Sequence, residues 1–316
     1  MGYIANRLIR YAVCLICIIT LNFALPRAMP GDPVWNIIGE DVYVSEEALQ
    51  EIRRELGLDR SLFEQFQIYI SSLLHFDLGY SYILKSSVFD LIISRMGWTL
   101  LFVGIAIIIG AIIGFLVGAY TGWRSETRMG RLISVLSLVI SCTPAYFLGL
   151  LFLLVFSFRL GLFPFKGLYT EPTLASIAHH LFLPILVMSL FAASRNILIM
   201  RGSTILEKAS LYALYARAKG CTDRGVLYVH VLKNASLPLI AQVALDFGFV
   251  FSGALVVEIV FTLNGMGTLI YNAVLGRDYP ILQGSLLLIA ITVIIANLAA
   301  DLISAVIDPR IREVGR

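Results

Sequence analysis

Apolar residues in this chain gather into long blocks, divided by short charged segments, and the blocks have the length of membrane spans. A helix crossing a bilayer needs roughly twenty apolar residues. Six stretches meet that requirement, at about 8–28, 98–120, 132–158, 180–200, 237–261 and 281–307. The pattern predicts an all-α membrane protein with six transmembrane helices. The first block follows Arg7 and Arg10, as a signal peptide would. Five further blocks and its own long apolar run favour an uncleaved signal-anchor helix. Pro26, Pro144 and Pro184 fall in or near the blocks, where bends are tolerated. The organisation is then a tail and first span over 1–29, a loop subdomain over 30–95, and five spans over 96–312. In the second block Gly110, Gly114 and Gly118 recur every fourth residue, giving one helix face on which another backbone can approach closely.

The polar segments set the orientation. With the N-terminus inside, the inner segments hold Arg7, Arg10, Arg124, Arg128, Arg131, Arg201, Lys208, Arg217, Lys219, Arg224, Lys233, Arg310, Arg312 and Arg316. The short outer loops hold Arg159, Lys166 and Arg277. Basic residues collect on the cytoplasmic side, so both termini are placed there. The long segment 30–95 then faces outward and is mainly acidic. Ser45-Glu46-Glu47-Ala48 starts one amphipathic helix, ended by Gly57, and Ser61 to Leu74 forms a second.

The inner segment from Tyr212 to Leu239 separates two apolar blocks yet carries Arg217, Lys219, Asp223, Arg224, His230 and Lys233. Charges and unpaired backbone groups are costly in hydrocarbon, which puts this segment on an aqueous face. Residues 211–216 are largely good helix formers with apolar side chains at helical spacing. Gly220 supplies the residue that commonly follows a helix C-terminus, and Lys219 puts a cation on the last turn. Thr222 or Asp223 caps a second short helix through about Leu232, and Pro238 opens the next span. A compact helix–glycine–helix with the small Ala216 and Ala218 makes a knob that another protein can grip.

Ala216-Arg217-Ala218-Lys219-Gly220, followed by His230, Asn234-Ala235 and Leu237-Pro238, resembles the cytoplasmic EAA coupling loop of ATP-binding cassette importer permeases. Its spacing resembles the dipeptide, oligopeptide and nickel branch, with Leu214 where the general motif has an acidic residue. Pro30-Gly31-Asp32-Pro33, Leu56-Gly57-Leu58-Asp59 and Asp77-Leu78-Gly79-Tyr80-Ser81 resemble the outer-loop signature of the same family. Residues 257–261, Gly265-Met266-Gly267, Arg277-Asp278-Tyr279-Pro280 and Asp308-Pro309-Arg310-Ile311-Arg312 resemble its C-terminal signature, with Asn264 where many relatives have proline.

The resemblance implies a bacterial inner-membrane importer subunit paired with a second, homologous permease. Two ATP-binding cassette ATPase subunits would bind ATP and Mg, this chain would carry no cofactor, and an extracytoplasmic binding protein would deliver substrate. It assigns ATPase coupling to Tyr215, Ala216, Arg217, Ala218, Lys219, Gly220 and Arg224, with Ala216 and Gly220 in the closest contacts. Binding-protein docking falls to Asp59, Asp77, Arg277 and Asp278. Di- and oligopeptides are the implied substrates, with nickel or a nickel chelate as the alternative. Membrane lipid is a partner and nucleic acid is not.

No lysine follows a glycine, which excludes a phosphate loop of the P-loop kind. No constellation suggests a hydrolase, so no catalytic residue is assigned. Cys14 and Cys17 stand in an apolar block with nothing nearby to complete a ligand set, and His179-His180 read as interfacial histidines, leaving no metal site. Ionisable residues inside spans call for a functional hypothesis. Arg195, Asp246 and Glu258 either line the translocation pathway or pair as structural locks; Asp301 stands in the sixth block. On an ideal helix Asp246 and Glu258, twelve apart, project in similar directions. A self-contained secondary transporter is the reading from another class. It predicts activity from this polypeptide alone and often an inverted internal repeat, which the chain does not display.

Overall fold

The computed structural model describes residues 2–28, 34, 45–55 and 59–307. The Pro30–Pro33 and Asp308–Arg312 motifs, Gly57 and the side chain of Asp301 lie outside them. The chain divides into two compact units, residues 1–99 with 264–294 and residues 100–263 with 295–316.

The first unit opens with α1 (Gly2–Ala28), followed by the two loop helices α2 (Glu46–Glu55) and α3 (Leu62–Leu74). Ser61 caps α3 reciprocally: its hydroxyl accepts from the Glu64 N–H while the Glu64 carboxylate accepts from the Ser61 N–H at 3.0 Å. Phe66 packs edge-on against Phe23 of α1, with ring centroids 5.1 Å apart. A two-residue antiparallel hairpin, β1 (Tyr80–Ser81) with β2 (Ser86–Ser87), then leads into α4 (Val88–Trp123). The unit is completed by α13 (Met266–Leu275) and the first turns of α14 (Tyr279–Ile307). Asn22 of α1 donates to the Gln283 carbonyl at 3.0 Å, and the Gln283 side chain donates back to the Asn22 carbonyl.

The second unit is built on α4 and α7 (Leu174–Lys208). Gly110, Gly118 and Gly122 each stand so close to α7 that an added Cβ would lie 2.6 Å from the Cβ of Ala192, Met200 and Thr204 respectively; Gly114 is closer still to Asn196. The spacing read from three glycines thus extends to a fourth, and the facing positions on α7 also recur every fourth residue. Two helices meeting along such matched stripes gain dense van der Waals contact.

Two of the apolar blocks are less regular than their hydropathy suggests. Block 132–158 becomes α5 (Arg128–Cys142) and α6 (Ala145–Arg159), bent by 98°. Thr143 precedes Pro144 and takes ψ 130°, since the proline ring excludes the helical region for its predecessor. Pro184, by contrast, is carried inside the unbroken α7. Block 237–261 divides into α10 (Leu237–Gly248), α11 (Val250–Gly253) and α12 (Leu255–Val260). Among the described residues, three continuous helices are long and apolar enough to cross a membrane, or up to five spans if α5 with α6, and the helix Asp223–Ala235 with α10 (bent by 42°), each count as one.

Candidate functional site: the helix–glycine–helix after α7

The segment after α7 folds as two short helices, α8 (Leu211–Ala218) and α9 (Asp223–Ala235), of which Val226–Val231 is π-helical. Of the two expected caps, Thr222 is the one used: its hydroxyl accepts from the Gly225 N–H at 3.2 Å. Between the helices the chain makes a Schellman turn, with the Cys221 N–H on the Ala216 carbonyl and the Gly220 N–H on the Arg217 carbonyl. Gly220 takes φ +85°, which L side chains adopt at a cost of about 1–2 kcal/mol. No atom lies within 4 Å of a Cβ placed there. Gly220 is therefore required by the backbone and not by any contact inside the chain.

Ala216 lies on the buried side of α8. Ala213 and Ala216, one turn apart, face inward and join Val226, Val231, Leu232 and Ala235 in a buried cluster with Ala119 and Met200. The i→i+5 pattern of the π-turn brings Val226 and Val231 to the same side. Ala216 is thus turned largely into the bundle, 7% exposed. Its small size lets α8 lie against its own bundle. The exposed face belongs instead to Leu211, Leu214, Tyr215, Tyr228 and Val229, with Tyr215 and Tyr228 67% and 69% exposed. Lys219 lies over the Tyr215 ring at 5.2 Å, and Ala218, Gly220 and Arg224 are exposed beside it. Arg217 is half-buried over Trp123 at 5.3 Å, with the Asp223 carboxylate 3.7 Å from its Nε. Tyr212 donates to Glu207, and burial raises its phenol above the ordinary value, helped by that carboxylate.

In the first unit the outer-loop and C-terminal signatures meet. Asp278 is buried; its carboxylate accepts from the Ser81 hydroxyl and, at 3.3 Å, from the Ile281 N–H at the start of α14. Burial raises the Asp278 carboxyl, and those two hydrogen bonds pull it back. Asp77 accepts from the Gly79 N–H at 2.9 Å. Asp59, Asp77 and Arg277 are exposed. Of the four expected docking residues, Asp278 is the one turned into the protein.

Arg195 of α7 and Asp246 of α10 pair at 2.5 Å, and Gln242 adds a donor to the same carboxylate oxygen at 2.9 Å. The Asp246 side chain is 9% exposed and that of Arg195 39%. Glu258 is fully buried in α12, and the breaks at Phe249 and Ala254 remove the unbroken helix on which its alignment with Asp246 was argued. The structure brings Arg195 and Asp246 together and buries Glu258 in α12. His179 lies 2.8 Å from the Leu162 carbonyl and His180 2.8 Å from that of Ser176. No group of three or more potential metal ligands occurs among the described residues.

Two family descriptions match consecutive parts of the chain. Residues 110–313 match the binding-protein-dependent transport system inner membrane component, and residues 1–103 match the N-terminal region of such membrane components. The chain belongs to the binding-protein-dependent transport permease family. It is an inner-membrane permease of ATP-binding cassette importers, of the peptide and oligopeptide group. A protein described as a peptide permease in Brucella suis biovar 1 is 36% identical over 314 residues, covering 98% of each chain. The glutathione transport system permease protein GsiC of Escherichia coli K12 is 33% identical over 315 residues, covering 99% of each. As a membrane permease component, the chain is not the ATPase of such a system.

The permease's exposed loop face is where sequence reasoning was incomplete. Attention to small residues singled out Ala216 and passed over Leu211, Leu214, Tyr228 and Val229. Their signal was present: large apolar residues on a segment that must lie in water have no bilayer to cover them.

Proposed function

We propose that this permease imports di- or oligopeptides across a bacterial inner membrane, as a six-span subunit with both termini in the cytoplasm. It works beside a homologous permease, is driven by two ATPase subunits, and receives substrate from an extracytoplasmic binding protein. Full-length similarity to a relative described as a peptide permease supports the substrate. The observation that carries the mechanism is the outward apolar face of Leu211, Leu214, Tyr215, Tyr228 and Val229 on a loop clamped to the bundle by Ala213, Ala216 and Val226.

An ATPase groove that grips this face moves α8 and α9 as one body, because their inner sides share a packed cluster. Nucleotide acts through its different affinity for the two states of the gate. Along the route, Arg195 and Asp246 form a polar station that a zwitterionic peptide can exchange with, each leaving a polar atom without a hydrogen-bond partner. Outside, Asp59, Asp77 and Arg277 meet the binding protein, while Asp278 holds the hairpin that shapes this surface.

The test is uptake of a labelled dipeptide by membranes holding the assembled transporter. Leu214→Asp with Tyr215→Asp should leave insertion unchanged and cut uptake by about tenfold or more, as loss of interface anchors does. Unchanged uptake coupled to ATP hydrolysis in that variant refutes the mechanism.

A further inference from the structure

Two cavities of the second unit share a wall, and their chemistries are opposite. One, of about 790 Å³, lies beside the C-terminal turn of α4 and is ringed by Arg124, Lys208, Arg217 and Arg224. The other, of about 500 Å³, runs between α4 and α10 past Ile112, Ile240, Val243 and Phe247, with apolar residues throughout its lining. Phe115 and Leu116 line both.

The four cations share one carboxylate between them. Lys208 Nζ donates to the Trp123 carbonyl at 2.7 Å and lies 5.1 Å from the Trp123 ring centre; Arg124 lies over Tyr120 at 5.6 Å. Asp223, the one carboxylate in the lining, stands 3.7 Å from Arg217, beyond hydrogen-bond distance, and its side chain is 77% exposed. Arg217 Nε is buried with no acceptor. Four cations facing one weakly engaged carboxylate are complementary to an anion. The adjoining groove is complementary to hydrocarbon.

The position agrees. A 36-residue α4 spans about 54 Å at 1.5 Å per residue, longer than a hydrocarbon core of about 30 Å. Its end, with Tyr120, Trp123 and Arg124, has the aromatic and basic make-up of a headgroup boundary. A peptide in transit carries both charges and no long apolar tail. A zwitterionic lipid brings a cationic head against the four basic side chains.

We propose that an anionic phospholipid binds here, its phosphate among Arg124, Lys208, Arg217 and Arg224 and an acyl chain in the α4–α10 groove. Assignment to the inner leaflet rests on the orientation proposed above. Because the site joins α4 and α7 to the coupling loop, an occupied site braces the loop that the ATPase grips.

The test uses the full-length chain in nanodiscs, with Trp35→Phe and Trp98→Phe leaving Trp123 as the reporter. Phosphatidylglycerol brominated on its acyl chains should quench Trp123 at about tenfold lower mole fraction than brominated phosphatidylcholine, and Arg124→Gln with Lys208→Gln should erase the difference. The same preference should appear in lipid retained by the unsubstituted chain after detergent extraction from mixed vesicles, read by native mass spectrometry. Equal quenching by both lipids, or a preference that survives the double substitution, overturns the proposal. So does displacement by inorganic phosphate, which marks a free-anion site, or loss of quenching on assembly with partner subunits, which marks a protein interface. The readout needs no ATPase, so failure of the coupling mechanism leaves it intact and its failure leaves coupling untouched.

Discussion

Two helix ends in this permease are closed by the same pair of backbone hydrogen bonds and by opposite choices of residue. At the end of α8, Cys221 bonds back to Ala216 and Gly220 to Arg217, with Gly220 in the left-handed position. At the end of α13, Asp278 bonds back to Ala273 and Arg277 to Val274, with Arg277 in that position at φ +54°. Glycine adopts the conformation freely and arginine does not. The second turn is held by its next residue. Asp278 is buried and clasped by Ser81 and by the Ile281 N–H, so its surroundings fix a backbone that Arg277 disfavours. The first turn has no neighbour to hold it, and its outer surface is left clear. One turn is braced internally; the other is left open.

The hardest break is at the Gly220 turn. Ala216→Glu buries a carboxylate in the cluster of Val226, Val231 and Ala235, and should cost about 3 kcal/mol or more, read as early melting or protease cleavage of the loop. Tyr215→Glu, one residue away but exposed, should shift stability by under about 0.5 kcal/mol. At the Arg277 turn, Asp278→Ala orphans the Ser81 hydroxyl and the Ile281 N–H and should cost about 1–3 kcal/mol. Asp278→Asn keeps an acceptor and should cost less.

Glycine exchange tests the first turn alone: Gly220→Ala should destabilise by about 1 kcal/mol in thermal unfolding of the purified chain, and an unchanged melting curve would contradict the need for glycine there.

The smallest expected effect is in pH. Burial raises Asp278, so its ionisation opposes folding at neutral pH. Its contribution should improve as pH falls through that raised value and level off below the unfolded value of about 3.9. Glu64 is lowered chiefly by its hydrogen bond with Ser61, so its contribution is present above about 4.3 and fades as pH falls through the lowered value. Stability profiles of Asp278→Asn and Glu64→Gln against the parent should diverge in opposite directions.

What the sequence discloses depends on whether the deciding interaction is local. Hydropathy located α4, α7 and α14, and the capping residues located α3 and the start of α9, because each of these signals acts within a few turns. The break at Thr143–Pro144 was also local and legible as a bend, though not its size. The division of 237–261 was not foreseen, although Gly248 and Gly253 stand at the ends of α10 and α11 and weaken a helix locally. The inward turn of Ala216 and Asp278 was illegible for a different reason. Burial there is set by Met200 and Ser81, far away in sequence. Nor does any single segment reveal the shared wall of the two cavities, which Phe115 and Leu116 complete with residues more than a hundred positions on.

The most direct test of the account is photocrosslinking in the assembled transporter from Tyr215→p-benzoylphenylalanine. The proposed coupling through the exposed loop face predicts an adduct between this position and an ATPase subunit, and a similar one from Tyr228, with none from buried Ala213. No ATPase adduct from either tyrosine, in a transporter that still takes up peptide, would contradict it.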